Sequence, residues 1–170
     1  MDYLKYYFLE DYLREVKRNF QKRGYLTPEE FFCIVIWKSN RAKTTIKRKL
    51  SKWGKLDEVI EELTQDIYKT KGKLKLKVLR DKWRFNLPMA AAILTVLYPR
   101  EFTVYDVRVR TQLGLKESSN INKYFKEFLP LVRETGVGNS LRDKDRYLWG
   151  KSFYEDLIKF LNVADKRSKK

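Results

Sequence analysis

Runs of apolar residues at helical spacing follow one another along the chain, and glycine or proline marks the ends of several of them. The first run fills residues 2–23 and stops at Gly24, a residue type that tolerates the left-handed conformation at a helix end. The next run starts at Thr27-Pro28, where threonine caps a helix and proline fits its first turn. Residues 73–78 alternate lysine with apolar residues; a strand fits there too, and we favour a helix. The spacing predicts an all-α fold.

The chain is long enough for one domain with a sizeable core. Its 170 residues are 43% hydrophobic and 15% aromatic, which excludes wholesale disorder. No linker and no internal repeat stands out. We expect a single all-helical domain over residues 1–163 and a basic, disordered tail over residues 164–170.

The charge of the chain is strongly unbalanced. Lysine and arginine total 38 against 22 acids, a formal net charge of +16. Two segments carry much of this surplus, the first basic block (residues 38–55) and the second basic block (residues 69–84), with an acidic stretch between them. This segregation points to a polyanionic partner, nucleic acid first. The alternative is a lysine-rich surface that only keeps the protein in solution.

The composition also excludes several kinds of chemistry. The chain has no histidine and one cysteine, Cys33, so it forms no internal disulfide, zinc finger or cysteine-ligated cluster, and proton transfer falls to carboxylates, lysines or tyrosines. The N-terminus lacks a signal-peptide pattern, and the longest apolar run, residues 87–98, is too short to cross a bilayer. We expect a cytoplasmic monomer, nucleoid-associated if prokaryotic, without metal, cofactor or membrane contact.

One segment carries a resemblance to a known family. Leu87-Pro88 opens a helix with the small-residue run Ala90-Ala91-Ala92, Pro99 ends it, and Thr103 is expected to cap a short helix carrying Asp106 near its start. This order resembles the helix–hairpin–helix DNA glycosylase superfamily, of which the chain would be a compact, divergent member. The similarity extends over about residues 28–154, since residues 31–41 resemble the family's second helix and pocket loop and residues 142–150 its closing helix.

The resemblance implies base excision from duplex DNA, with Asp106 as the catalytic acid. A carboxylate near C1′ stabilises the positive charge that develops on the sugar when the glycosidic bond breaks, and the nucleotide has to be flipped into a pocket first. We expect Trp37, Ser39 and Tyr105 in the base pocket. The remaining candidates bind DNA, and they are Lys38, Asn40, Arg41, Lys43, Arg84, Asn86, Arg108 and Arg110. Arg142, Asp145 and Arg146 are expected to form a structural ion-pair cluster.

Two departures from the family pattern matter. Arg84-Phe85-Asn86 stands where the hairpin usually carries Gly-x-Gly, and arginine tolerates the left-handed conformation poorly. The nucleophilic lysine of lyase-type members falls on Pro88, which cannot form a Schiff base. The sequence therefore predicts a monofunctional, hydrolytic enzyme, unless a lysine from elsewhere, such as Lys38 or Lys82, reaches the sugar.

Two other functions stay open. One is a duplex DNA-binding protein that keeps the fold without catalysis, and the other is an RNA-binding protein in which Asp106 is only structural. The enzyme predicts Trp37 and Asp106 together in one pocket on the same face as the basic blocks, whereas a binding module needs no base-sized pocket. RNA binding predicts a preference for single strands through exposed aromatic rings.

Overall fold

The computed structural model describes the backbone of residues 4–167 and the side chains of residues 4, 6 and 8–162. This part of the chain is all-α and contains no strand. The helices are α1 (Leu4–Tyr7), α2 (Leu9–Arg23), α3 (Pro28–Ser39), α4 (Lys43–Leu50), α5 (Leu56–Lys69), α6 (Leu74–Asp81), α7 (Leu87–Leu97), α8 (Val107–Gln112), α9 (Ile121–Lys123), α10 (Leu129–Glu134) and α11 (Leu141–Arg167). A 3₁₀ turn (Asn40–Ala42) joins α3 to α4, and a π-helical turn (Tyr124–Phe128) joins α9 to α10.

The local signals for helix ends are confirmed where capping chemistry is strongest. Gly24 ends α2 with φ 80°, and Thr27 forms a capping box with Glu30 at the start of α3. The segment in which a strand also fitted is helical, as α6. The first predicted helix is interrupted at Phe8, whose backbone leaves the helical region at φ −92° and ψ 53°.

The core is built around α7, which packs against α2, α3 and α6. Nine of its eleven residues are buried, and Ala90, Ala91 and Ala92 are completely inaccessible to solvent. Because these side chains end at Cβ, neighbouring helices approach the α7 backbone closely. Because α7 is central, it anchors the hairpin that precedes it and the loop of residues 98–106 that follows it.

The hairpin between α6 and α7 consists of residues 82–86. Arg84 is the residue with the positive backbone angle that a glycine would adopt easily, at φ 56°. Asn86 keeps an extended backbone instead and caps α7, since its Oδ1 accepts a hydrogen bond from the Met89 amide at 2.9 Å. The tight turn therefore forms without glycine, at the cost of a left-handed arginine.

The expectation that Thr103 caps the following helix is wrong. Thr103 is fully buried, its hydroxyl donates to Asp145 Oδ2 at 2.8 Å, and its backbone amide donates to the Tyr124 hydroxyl at 3.0 Å. The chain makes a tight turn at Tyr105, where the Asp106 amide donates to the Val104 carbonyl oxygen at 3.0 Å, and α8 begins three residues later than predicted, with Asp106 as its cap. A buried carboxylate outcompetes the helix for the threonine hydroxyl.

The last helix, α11, packs along α8 and α10. Its backbone continues through Arg167, so it includes the first residues of the predicted tail, while residues 168–170 lie outside the described part of the chain. In residues 4–167 no helix combines the length and the apolar character that crossing a membrane requires.

Candidate functional site

Asp106 lies where the loop before α8 ends, and its own backbone is extended, at φ −105° and ψ 146°. Thr103 and Tyr105 are buried in the interior, whereas Val104 and Asp106 line one cavity. Asp106 Oδ1 accepts a hydrogen bond from the Arg108 amide at 3.0 Å and thereby caps α8. The carboxylate is thus fixed by its own helix, with its second oxygen turned to a partner.

That partner is Lys38, in the last turn of α3. Lys38 Nζ donates to Asp106 Oδ2 at 2.7 Å, and the two side chains are only 15% and 20% exposed. Burial raises the pKa of Asp106, but the hydrogen bond and charge of Lys38, with the Arg108 amide, outweigh it and hold the pKa below its usual value. The carboxylate is therefore ionised at neutral pH.

The Lys38–Asp106 pair lines a cavity of about 410 Å³, called here the Asp106 cavity. This volume is within the range of about 300–1,000 Å³ that small-molecule sites occupy. The other lining residues are Glu10, Trp37, Val104, Val109, Arg142, Asp145, Arg146 and Trp149. Trp37 also lines an adjoining groove of about 860 Å³, so it forms part of the boundary between the two spaces. The structure thus brings together the predicted carboxylate and the predicted pocket tryptophan.

An ion-pair cluster forms another side of the cavity. Glu10 of α2 accepts hydrogen bonds from Arg142 at 2.7 Å and from Arg146 at 2.6 Å, and Arg142 also pairs with Asp145. Burial raises the pKa of Asp145, and the charge of Arg142 offsets this only in part. The Arg142 guanidinium lies 5.1 Å from the centre of the Trp37 ring. The expected structural cluster therefore exists, and it also orients a wall of the cavity.

Trp149 is a site residue that the sequence analysis missed. Its ring lines the cavity and stacks on Phe153 one turn later, with centroids 5.6 Å apart and planes inclined by 6°. The rings remain 43% and 48% exposed. The available signal was two aromatic residues four positions apart on one helix, which share a face.

The Arg108 side chain lies over this pair of aromatic rings. Its guanidinium lies 5.4 Å from the Trp149 ring centre and 5.6 Å from that of Phe153, and its Nη1 pairs with Asp156 at 2.6 Å. The Arg108 side chain therefore links α8 to α11, and these contacts compete with its predicted role in DNA binding.

Three predicted site residues lie elsewhere. Ser39 does not line the Asp106 cavity. Tyr105 is 5% exposed and packs on Phe128, with its hydroxyl accepting a hydrogen bond from the Ser118 amide at 3.1 Å. Arg110 is 8% exposed and lies over the Tyr105 ring. Neither Tyr105 nor Arg110 lines the Asp106 cavity; Tyr105 lines a separate, smaller pocket of about 220 Å³.

The polar residues after Lys38 form the exposed edge next to the site. Asn40 and Arg41 lie in the 3₁₀ turn, and Lys43 begins α4. All three are exposed, and Lys43 Nζ donates to Asn40 Oδ1 at 2.7 Å. Their position suits contact with a polyanion, although none of them lines the cavity.

The two basic blocks meet at the hairpin. Lys49, from the first block, donates to the carbonyl oxygens of Trp83 and Arg84, each at 2.7 Å. Burial lowers the pKa of Lys49, and the charge of Arg84 lowers it further. Lysine at this position therefore stabilises the turn and adds a positive charge beside the exposed Arg84 side chain.

Among the described residues, no three histidine, cysteine, aspartate or glutamate side chains are grouped so as to hold a metal ion. Comparisons of the chain with models of protein families, with curated proteins and with solved structures found no match. What the site does therefore has to be inferred from its own residues. These are a low-pKa carboxylate, an amine beside it, and two tryptophans around a cavity of small-molecule size.

Proposed function

We propose that the protein is a DNA N-glycosylase that removes a damaged or modified base from duplex DNA, with Asp106 as its essential carboxylate. The observation that carries the proposal is that Trp37 and Asp106, 69 positions apart in the sequence, line one cavity. A carboxylate and a flat aromatic ring are the two groups that excision of a flipped base requires.

The state of Asp106 suits the chemistry. When the bond between C1′ and the base breaks, positive charge accumulates on the deoxyribose, and an ionised carboxylate stabilises it. The low pKa of Asp106 keeps it ionised, and its fixed position as the α8 cap avoids reorganisation during the reaction. The group that then bonds to C1′ is water or the amine of Lys38. Water is favoured because Pro88 stands where lyase-type members of the family carry their nucleophilic lysine.

The aromatic walls suit a nucleobase. Trp37 and Trp149 both line the cavity, and each ring has an arginine guanidinium over it. Stacking of a base on an aromatic side chain contributes about 1–3 kcal/mol, which offsets part of the cost of flipping.

The hairpin and the basic blocks suit the DNA backbone. Arg84 is exposed in the turn before α7, and Lys49 lies against the same turn. Backbone contacts of this kind are independent of sequence and explain why so large a positive charge is retained.

A second function, duplex binding without catalysis, is favoured by one observation. Both oxygens of Asp106 already have structural partners, the Arg108 amide and Lys38 Nζ. A capping aspartate paired with a lysine across two helices stabilises a fold without any reaction. The two functions differ in whether Asp106 is needed for base release.

The deciding experiment is base release from a panel of duplexes, each with one damaged or modified base, followed by alkali to cut abasic sites. We expect one or a few duplexes to be cut after treatment with the wild type and not after treatment with Asp106→Asn. Asparagine still accepts the hydrogen bond that caps α8, so this variant removes the charge and keeps the helix start. Asp57→Asn, at an exposed acid in the first turn of α5, is the matched control and should retain activity.

The outcomes separate the candidates. Equal cutting by the wild type and Asp106→Asn would refute the role of the carboxylate. Tight duplex binding with no lesion processed would support the second function, duplex binding without catalysis. Tighter binding to single-stranded RNA than to any duplex would favour the RNA-binding function instead.

A further inference from the structure

From Ser152 onwards, α11 turns a polar side towards the protein. Ser152 itself is buried. Asp156 pairs with Arg108 of α8 at 2.6 Å. One position earlier, Glu155 accepts a hydrogen bond from Gln112 of α8 at 2.6 Å. A surface helix of a globular protein normally has the opposite arrangement, with its apolar stripe packed on the core.

Six large apolar side chains on the remaining sides of this part of α11 form a continuous surface, called here the α11 face. They lie three or four positions apart along two neighbouring lines of the helix, and their exposed fractions are 36–70%. They are Phe153, Tyr154, Leu157, Ile158, Phe160 and Leu161. Single exposed apolar residues are ordinary, whereas a contiguous patch of this kind marks an interaction surface.

The α11 face lies in a part of the chain without net charge. Residues 147–162 contain two lysines and two acids, whereas the whole chain carries a net charge of +16. A polyanion binds where cations are in excess, and this segment has no such excess. A second copy of the chain can approach here without the repulsion that the basic blocks cause elsewhere.

The area of the α11 face suits association of two copies. Since an aromatic side chain buries about 150–250 Å² in full, six large side chains at about half exposure present on the order of 600 Å². Two copies then bury about 1,200 Å² in total, which reaches the range of specific interfaces. In a two-fold dimer both partners use the same surface, so an apolar face meets an identical apolar face.

Gly150 favours close approach of another helix at one end of the α11 face. It is exposed and lies one turn before Phe153 and Tyr154. Apart from its chain neighbours and its own helix backbone, no described atom lies within 4 Å of the place where its Cβ would be. Glycine lowers the stability of an exposed helix, and no contact in the described part of the chain requires it here. The missing side chain leaves room for the backbone of a partner helix.

We propose that two copies of the chain associate through their α11 faces as a symmetric dimer, in place of the monomer expected from the sequence. Phe153 stacks on Trp149, which lines the Asp106 cavity, so the interface lies beside the candidate site of each copy. The dimer does not depend on the reaction proposed at Asp106, and either proposal can fail alone.

The test is sedimentation equilibrium of the full chain, freed of nucleic acid by nuclease, over a wide range of concentrations. We expect a dimer that Leu157→Glu and Phe160→Glu each weaken at least about tenfold, because the two-fold axis places each new carboxylate in the interface twice. Glutamate is a good helix former, and circular dichroism checks that α11 stays helical. The matched control is Leu74→Glu, at an exposed leucine that begins α6, and it should associate like the wild type.

Salt distinguishes an apolar dimer from copies that are bridged by residual nucleic acid. Because salt screens the repulsion between two strongly basic bodies, the dimer should be as tight at about 1 M salt as at about 0.15 M, or tighter. Association through a bound polyanion weakens steeply with salt instead, and that result would overturn the proposal.

Three further results would also overturn it. One is a chain that stays monomeric at every concentration and salt. Another is association of Leu157→Glu and Phe160→Glu as tight as that of the wild type, or equal loss of association in Leu74→Glu. The third is binding of the wild type to vesicles of anionic phospholipid, lost in Leu157→Glu, without any dimer in solution; this would assign the α11 face to a lipid surface.

Discussion

The left-handed backbone of Arg84 makes a sharp prediction about stability. At φ 56° a residue with a Cβ loses about 1–2 kcal/mol relative to glycine. Glycine also makes the unfolded chain more flexible, which lowers the free energy of unfolding by about 0.4–1 kcal/mol. The difference predicts that Arg84→Gly raises the free energy of unfolding by about 0.5–1 kcal/mol, or the melting temperature by about 1–4 °C for a chain of this size.

The matched control is Arg84→Ala. Both variants remove the guanidinium and its repulsion of Lys49, so the difference between them isolates the backbone. Alanine keeps the backbone strain, so the alanine variant should be less stable than the glycine variant. Urea unfolding of the three proteins measures the difference, and equal stability of the glycine and alanine variants would refute the reasoning that the turn holds residue 84 in a strained conformation.

The same pair of variants tests the contact with DNA. If Arg84 binds a phosphate, both variants weaken duplex binding to the same extent and reduce the slope of log K against log salt by about 0.9. Stability and affinity then change in opposite directions for Arg84→Gly. An unchanged salt slope in both variants would exclude a phosphate contact by this side chain.

Further predictions concern the carboxylates. Lys38→Met leaves Asp106 largely buried without its ammonium partner, so it should lower the free energy of unfolding by about 1–3 kcal/mol. Adding Asp106→Asn to this variant should restore part of the loss. A coupling energy below about 0.5 kcal/mol in the double-mutant cycle would contradict this expectation. Since the pKa of Asp106 is lowered in the folded protein, base release should stay constant from neutral pH down to about pH 5, and the stabilisation from the pair should be lost only as the pH falls through that low pKa. An acid limb near pH 6 would refute the depressed pKa. Thr103→Val removes a donor to the buried Asp145 and should cost about 1–3 kcal/mol, whereas Thr111→Val, at an exposed position, should cost much less in the same urea titration.

The hairpin illustrates how far sequence reasoning reached. The Leu87-Pro88 start and the alanine run were sufficient to predict α7, because proline and small side chains act within their own turn and their own helix. The conformation of Arg84 was not predictable from its type, which disfavours φ above zero. It follows from contacts around the turn, including the Lys49 amine that joins two of its carbonyl oxygens.

The segment before α8 shows why the site was predicted only in part. Asp106 was recognised by its place at a helix start, and that place is confirmed. The sequence predicts a capping role for Thr103, a place in the base pocket for Tyr105 and DNA binding for Arg110, yet all three residues are buried. The burial of this segment involves contacts that are distant in sequence, such as the hydrogen bond from Thr103 to Asp145, and a local pattern does not predict them.

The sequence by itself determined the helical class, most helix starts and ends, and the excess of positive charge. These depend on spacing, capping and composition, which act within a few residues or need no structure at all. Only the tertiary structure decided that Lys38 meets Asp106 across 68 positions and that Trp149 joins Trp37 around the same cavity. Such pairings depend on how α3, α8 and α11 pack, and local sequence patterns do not predict which distant helix ends come together.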